Sequence, residues 1–236
     1  MQLLNNFVPE QIFTHFTSRE QDFTLPKDQD ALTVPQTEYL RQVLTVPPEK
    51  IYYGRQVHGN TIVAVGEKDV PVKSAIAQAD GFVTNVPGIA LAVRTADCLP
   101  VFLFYPKHRA IGMIHAGWKG TQQQIAVAAL DAMRREYGSQ PQDVLAMFGP
   151  CIRRCCYEVG EDFGNTFPDE TFVRFGKYFF DLPLANRTQM LEAGMVPEHI
   201  QDDEICTDCE DELFSYRREG EQAGRHLSII QIKIPT

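Results

Sequence analysis

Three short, mostly apolar runs in the middle of the chain constrain its fold more than any other feature. They are IALAVRT (89 to 95), PVFLFY (100 to 105) and AIGMIHA (110 to 116), and turn-forming or polar residues separate them. Runs of this composition between turn signals are typical of β-strands. The sequence therefore predicts a sheet at the core of the protein.

Helical patterns occur on both sides of these runs. Residues 36 to 44 follow a proline and have a helical pattern. The segment after Thr121 has apolar residues at helical spacing. Thr121 and Gln124 predict a capping box at the start of this second helix, and Gly138 predicts its end. Further elements are predicted at 143 to 149 (strand), 185 to 194 (helix) and 226 to 234 (strand). Because strands and helices mix without a βαβ rhythm, and no linker or repeat interrupts the chain, we expect a single α+β domain over residues 1 to 236.

Charge and hydropathy exclude several classes of protein. The formal net charge is −9, which disfavours nucleic acid as a partner. The longest apolar stretch, Leu99 to Tyr105, is far short of the roughly 20 residues that cross a bilayer. The first cationic side chain is Arg19, so no basic region typical of a secretory signal opens the sequence. We expect a cytoplasmic protein with no membrane partner.

The spacing of two of the runs brings a cysteine close to a histidine. If residues 106 to 109 close an antiparallel hairpin, Tyr105 faces Ala110 and Pro100 faces His115. Cys98 precedes Pro100 by two residues, at the open end of the same hairpin. The pairing therefore predicts that Cys98 lies near His115.

A second histidine completes a possible metal site. Gly59 and Asn60 lie between two β-rich runs and predict a tight hairpin turn with His58 at its tip. One Cys and two His are three zinc ligands with an open fourth position, as in catalytic zinc sites. A turn residue, a small core thiol and a strand-end imidazole account for the same pattern, so the residues alone leave both interpretations open.

Seven motifs occur in a fixed order along the chain. They are QVHG (56 to 59), ADGFVTN (79 to 85), TADCLPV (95 to 101), HAGWKGT (115 to 121), GPCI (149 to 152), YEVG (157 to 160) and the SYRRE…GR block (215 to 225). From about residue 50 to the C-terminus, the sequence closely resembles the YfiH-like family, also called the laccase-domain or multicopper polyphenol oxidase family.

This resemblance implies a fold, a metal site and an activity. The fold is a sandwich-like α+β core of mixed sheets flanked by helices, similar to cysteine hydrolases. The zinc ligands are His58, Cys98 and His115, with copper as the alternative metal. The activity is phosphorolysis of adenosine, inosine and methylthioadenosine to free base and pentose 1-phosphate, with adenosine deamination as a second activity.

Candidate phosphate ligands follow the metal motif and recur near the C-terminus. Lys119 and Thr121 lie where a helix start offers free backbone N–H groups, although an ordinary capped helix explains them equally well. Arg217, Arg218 and Arg225 form the densest basic cluster, and guanidinium groups suit phosphate. A solvated surface run is the alternative for these arginines.

The sequence gives weaker indications of a functional role for several other residues. Asp97 adjoins Cys98 and is a candidate to orient a metal ligand, or it caps a turn. Trp118 and Tyr157 are able to stack on a purine or to pack in the core. Cys206 and Cys209 form a CxxC pair, for which core or surface thiols are favoured over a structural zinc site shared with Cys151, Cys155 and Cys156.

Three other functions fit some of these residues. Cys98 as nucleophile with His115 as base would make a hydrolase or amidase, for example on a cell-wall precursor. A copper polyphenol oxidase is a second alternative, but the chain has only six His, too few for a full multicopper cluster. A binding module with structural zinc is a third, and the open coordination position argues against it.

Overall fold

The computed structural model describes residues 10–26, 31–44, 47, 50–67 and 78–234. Within these ranges a six-stranded sheet has the order β12-β8-β6-β7-β4-β3. Its strands are β3 (Ile62–Ala64), β4 (Gly81–Thr84), β6 (Leu99–Tyr105), β7 (Ala110–Ala116), β8 (Leu145–Phe148) and β12 (Ile200–Asp202). The β6–β7 hairpin is confirmed, including the pairing of Pro100 with His115.

Two smaller sheets accompany it. A four-stranded sheet has the order β1-β13-β5-β2, and a three-stranded one has the order β10-β11-β9. Their strands are β1 (Ile12–Phe16), β2 (Ile51–Tyr52), β5 (Ala90–Thr95), β9 (Glu158–Val159), β10 (Thr171–Arg174), β11 (Lys177–Phe180) and β13 (His226–Ile232). Parallel pairs (β2 with β5, β3 with β4, β8 with β12) occur beside antiparallel ones, so the sheets are mixed as expected.

The four- and six-stranded sheets pack face to face, and helices cover their outer faces. The helices are α1 (Val34–Val43), α2 (Trp118–Gln122), α3 (Ile125–Tyr137), α4 (Phe163–Thr166), α5 (Leu182–Glu192) and α6 (Tyr216–Glu219). Apolar residues of α1 pack on the four-stranded sheet, and those of α3 and α5 pack on the six-stranded sheet. This confirms an α+β sandwich flanked by helices.

Successive side chains of a strand point to opposite faces of the sheet, which explains why the central runs are apolar throughout. In β6, Val101 and Leu103 face the α3 side, while Phe102 and Phe104 face the other sheet. In β5, Leu91 and Val93 face the other sheet while alternate residues pack beneath α1. Because both faces of each strand are covered, apolar and polar residues do not alternate along these runs.

The hairpin predicted around Gly59 and Asn60 is wrong. Strand β2 belongs to the four-stranded sheet and β3 to the six-stranded one, so the segment between them crosses from one sheet to the other. The positive φ in this crossing belongs to His58, at 58°, and not to Gly59. Short β-rich runs around a Gly-Asn pair do not reveal which sheet each run joins.

The capping box predicted at Thr121 is also wrong. Thr121 lies inside the short helix α2, where its hydroxyl donates to the carbonyl of Gly117. Helix α3 begins after Gln124, whose backbone is left-handed and whose side chain makes no cap. The predicted stop at Gly138 is confirmed, since the backbone of Gly138 is left-handed and its N–H donates to the Arg134 carbonyl.

In the described part of the chain, every helix is too short or too polar to cross a bilayer.

His226, at the start of β13, makes the sandwich sensitive to acid. Its Nε2 accepts a hydrogen bond from the Phe214 N–H, and its Nδ1 lies 2.7 Å from the Thr17 carbonyl, so the buried ring is held neutral. Burial lowers the pKa of His226 from 6.5 to about 4. Protonation therefore favours the unfolded chain between these values: the stability is present above pH 6.5 and is lost as the pH falls toward about 4.

We predict that His226→Gln reduces this pH dependence. Between pH 7 and about pH 4.5, the wild-type free energy of unfolding should fall by about 2 to 3 kcal/mol more than that of the variant. Urea unfolding at both pH values measures the difference. The exposed His108→Gln should retain the wild-type dependence, and equal slopes for all three proteins would contradict the assignment.

Candidate metal centre

The structure brings together the three side chains that the sequence suggested as metal ligands. His58 lies in the crossing between the two sheets, Cys98 directly precedes β6, and His115 lies on β7. The possible ligand atoms of the three residues all lie within 4.8 Å of one another. The two imidazole rings meet edge to face, with centroids 4.8 Å apart.

Asp80 holds the side chain of His115 and the backbone of His58. One of its carboxylate oxygens lies 2.8 Å from His115 Nδ1 and also accepts the His58 N–H at 2.9 Å. The other oxygen accepts the N–H groups of Val57 and Gly59, at 3.1 and 3.0 Å. The carboxylate therefore shapes the crossing that carries His58, and it leaves the Nε2 of His115 as the nitrogen available to a metal.

Sequence reasoning missed Asp80. The missing information was the pairing of β4 with β7, in which Gly81 faces Ile114. One step along the same register, the N–H of His115 donates to the Asp80 carbonyl at 2.7 Å. The register argument that placed Cys98 near His115 would have found Asp80, had this second strand pair been recognised.

Gly117 allows the three ligands to approach one another. A Cβ atom at this position would lie 2.9 Å from the sulfur of Cys98 and 3.0 Å from a ring carbon of His58. Both distances are shorter than ordinary contacts, so any side chain here would push the ligands apart. The glycine of the HAGW motif is thus a packing requirement of the site.

Charge pairing within the cluster shifts two pKa values. Burial alone would raise the pKa of the Cys98 thiol, but the charges and hydrogen bonds of His115 and His58 lower it to about 6. Burial would lower the pKa of His115, but Cys98 and Asp80 raise it to about 9. A thiolate is therefore the stable form of Cys98 near neutral pH.

The donor set fits a zinc-type ion. One thiolate and two imidazole nitrogens converge, and Asp80 supplies the partner that metal-bound His ring N–H groups usually have. Three protein ligands would leave a fourth position open. A cavity of about 570 Å³ lies beside the three side chains. All three residues line this cavity.

The cavity walls combine aromatic and cationic side chains. Tyr157 and Tyr216 each carry a guanidinium over the ring, Arg217 at 5.4 Å and Arg225 at 5.7 Å. The lining residues are Gln56, His58, Arg94, Ala96, Asp97, Cys98, His115, Trp118, Ile152, Tyr157, Leu182, Tyr216, Arg217 and Arg225. Arg94, Gln56 and Tyr216 were not singled out from the sequence.

The five predicted phosphate ligands divide into two groups. Arg217 and Arg225 line the cavity, whereas Arg218, Lys119 and Thr121 are not among its lining residues. Lys119 is exposed, with its Nζ 5.5 Å from the Trp118 ring centre, and Thr121 is fully buried, with Asn186 donating to its hydroxyl. The Arg218 guanidinium donates to the carbonyls of Thr207, Asp208, Glu210 and Leu213 and to the Glu219 carboxylate.

Asp97 holds a wall of the cavity. Its carboxylate accepts the Thr207 hydroxyl and the Arg217 N–H, both at 2.6 Å. Its backbone has a φ of 85°, and its carbonyl accepts the Ile152 N–H at 2.9 Å. A non-glycine residue with a positive φ next to a candidate ligand indicates strain retained by surrounding contacts. The bonds of Asp97 thus fix the start of helix α6, which carries Arg217, while Asp80 contacts the imidazole of His115.

Comparison with known proteins shows the family of this chain. A family model described as "Multi-copper polyphenol oxidoreductase laccase" matches residues 17–233. A protein of Bacteroides thetaiotaomicron named purine nucleoside phosphorylase is 36% identical over 200 residues, 78% of this chain and 74% of that protein. A protein of an unknown prokaryotic organism, named adenosine deaminase RL5, is 32% identical over 209 residues, 82% of this chain and 79% of that protein.

A solved structure supports the same relation. The crystal structure of YlmD from Geobacillus stearothermophilus superposes with a TM-score of 0.85 at 28% identity, over 95% of this chain and 93% of that one. The family model covers nearly the whole chain, and the sandwich fold and the sequence motifs agree with that match. The protein therefore belongs to the multicopper polyphenol oxidoreductase laccase family, the YfiH-like family.

Proposed function

We propose that the protein is a zinc-dependent purine nucleoside phosphorylase that acts on adenosine, inosine and methylthioadenosine and also deaminates adenosine. The observation that carries this proposal is one cavity that joins a His₂Cys centre, aromatic rings and guanidinium groups. Its volume of about 570 Å³ is in the range of small-molecule sites. Relatives named for each of the two activities support it.

We assign the purine base to the aromatic wall. Tyr157 and Trp118 are half-buried and line the cavity, so a flat base can stack there while water is excluded from one of its faces. Trp118 also packs against Phe163, with ring centroids 5.3 Å apart, which restricts its orientation. A wall that is already ordered lowers the entropic cost of binding the base.

We assign the phosphate to Arg217 and Arg225. In a chain of net charge −9, these two guanidinium groups give one part of the cavity a positive field. In phosphorolysis, a phosphate oxygen forms a bond to C1′ as the bond from C1′ to the base breaks, and the base leaves with the electron pair and takes up a proton. Guanidinium groups that hold the phosphate restrict its approach to the sugar carbon.

The metal ligands serve both activities in this proposal, because they line the one cavity that the two reactions share. His58, Cys98 and His115 would hold a zinc ion, which would supply Lewis-acid chemistry and would lower the pKa of water for deamination. Deamination adds a water oxygen at C6 of adenine and releases ammonia. Asp80 keeps His115 oriented throughout, because its carboxylate holds the ring at Nδ1.

Zinc fits the donor set better than a copper oxidase cluster does. The other four histidines are held elsewhere: His15 by Tyr39, His226 by Thr17 and Phe214, His108 beside Tyr105, and His199 in a turn. Among the described residues, His occurs in only one possible metal group, and that group has three ligands. A multicopper centre needs more imidazoles than this group supplies.

A cysteine hydrolase is the second candidate. Cys98, His115 and Asp80 form a chain of hydrogen-bonded groups like the nucleophile, base and orienting acid of a cysteine hydrolase. A thiolate that is committed to zinc is a poor nucleophile, so the two functions respond oppositely to metal removal.

We predict that nucleoside turnover requires the metal centre and that only base release requires phosphate. Purified protein should contain zinc that His58→Ala, Cys98→Ala and His115→Ala each lose together with both activities. Chromatography of adenosine and inosine reactions, with and without inorganic phosphate, measures the products. Cleavage of an amide substrate by metal-free protein, with nucleosides left intact, would instead establish the hydrolase.

We predict that Asp80→Asn weakens zinc binding by about 10- to 100-fold, because the amide cannot replace the carboxylate that holds His115 and the crossing. Competition with a chromogenic chelator measures the affinity. Asp97→Asn is the matched control, since Asp97 contacts Thr207 and Arg217. Equal zinc losses in both variants would contradict the different roles of the two aspartates.

We predict that Arg217→Ala raises the KM for phosphate by one to two decades. The loss of one charged hydrogen-bonding partner typically costs about 1.5 to 3 kcal/mol. Deamination should change less, because its nucleophile is water. The exposed Lys119→Ala, outside the cavity, is the control. Equal losses in both activities would show that Arg217 only supports the fold.

A further inference from the structure

A second group of cysteines lies beside the cavity wall and takes no part in the proposed reaction. The sulfurs of Cys155, Cys156, Cys206 and Cys209 all lie within 4.8 Å of one another. We propose that these four residues bind a structural zinc ion as a tetrathiolate site, separate from the His58, Cys98 and His115 centre.

The distances between the sulfurs suit this ion. Four sulfurs at about 2.3 Å from a tetrahedral zinc stand roughly 3.8 Å apart. The sulfur of Cys209 lies 3.6 Å from that of Cys155 and 3.3 Å from that of Cys156. These contacts are near the tetrahedral spacing and well above the roughly 2.05 Å of a disulfide bond.

The backbone around the cysteines is ordered by contacts that do not involve sulfur. Arg153 forms a two-pronged ion pair with Asp202, with both distances 2.6 Å, and its Nε donates to the Ile205 carbonyl. The N–H of Cys151 also donates to the Ile205 carbonyl, and the Thr207 N–H donates to the Cys151 carbonyl. The two cysteine-bearing segments are therefore fixed side by side, which lowers the entropic cost of assembling four ligands.

The CxxC segment has the hydrogen bonding of a metal-binding turn. The N–H groups of Cys209 and Glu210 donate to the Cys206 carbonyl and fold the segment back on itself. This turn keeps the sulfurs of Cys206 and Cys209 within 4.8 Å of each other, as two ligands of one ion require.

Three arginines hold the backbone of the segments that carry the cysteines. Arg174 donates to the Cys155 carbonyl, Arg153 to that of Ile205, and Arg218 to those of Thr207 and Asp208. These hydrogen bonds fix the positions from which the four sulfurs converge.

The site would hold two walls of the cavity. Tyr157 directly follows Cys156, and Thr207, inside the CxxC segment, donates to Asp97, which also accepts the Arg217 N–H. An ion that joins Cys156 to Cys206 thus joins the aromatic wall to helix α6, which carries the proposed phosphate ligand Arg217. Its role is to position these walls and not to react.

Metal content tests this inference. Protein expressed with added zinc and purified with a reductant should contain two zinc ions per chain. His58→Ala/His115→Ala should retain one, and Cys206→Ser/Cys209→Ser should retain the other. Cys151→Ala is the matched control, because this buried cysteine lies outside the cluster. It should keep two.

Cobalt gives a readout that does not depend on the stability of the cysteine variants. In His58→Ala/His115→Ala, one equivalent of Co²⁺ should give the intense thiolate-to-cobalt absorption and the visible bands of a tetrahedral tetrathiolate. Mass spectrometry of alkylated chains should find all four cysteines reduced in the zinc-loaded protein.

Two outcomes would overturn the inference. One is a reduced wild-type chain that holds a single zinc ion and loses it entirely in His58→Ala/His115→Ala. The other is a disulfide between Cys156 and Cys209 in protein that was purified with the reductant and loaded with zinc. Neither measurement uses nucleoside turnover, so failure here is distinguishable from failure of the proposed activity.

Discussion

The buried carboxylate of Asp80 is the constraint on which the metal centre depends. Removing a carboxylate from water is costly unless hydrogen bonds replace its hydration. Three backbone N–H groups of the crossing and the His115 ring supply those bonds, and they hold the pKa of Asp80 below its ordinary value against the opposing effect of burial. The same bonds join the crossing between the sheets to β4 and β7. The placement of two candidate metal ligands, His58 and His115, therefore depends on the strand pairing of the six-stranded sheet.

Strand pairing also decides which parts of the site the sequence could predict. Cys98 and His115 belong to one hairpin closed by a short turn, so counting residues from the turn brings them together. Asp80 depends on the pairing of β4 with β7, and His58 depends on a segment that leaves one sheet for the other. These relations join segments that are distant in sequence. A pattern of apolar and turn residues indicates strands, but it does not reveal their neighbours.

The arginines show a second limit of sequence reasoning. Arg217 and Arg218 are adjacent in one short helix, and the sequence makes them equally good candidates to bind an anion. The helical turn directs them apart: Arg217 lines the cavity, while Arg218 reaches the carbonyls of the loop before it. Successive helical positions lie about 100° apart, so neighbours seldom share a face. Basic clustering identified the region but not the side chain that lines the cavity.

The surroundings of Cys98 favour a metal ligand over a free nucleophile. A nucleophilic cysteine needs one base and a clear approach to its sulfur. Here two imidazoles lie with possible ligand nitrogens within 4.8 Å of the sulfur, their rings edge to face, and a side chain at Gly117 would collide with the sulfur. The second imidazole adds nothing to a single proton transfer, whereas it is required for a three-ligand centre. The positive φ of His58, and of Asp97 beside Cys98, is consistent with this, because backbone strain is retained where several side chains must converge on one point.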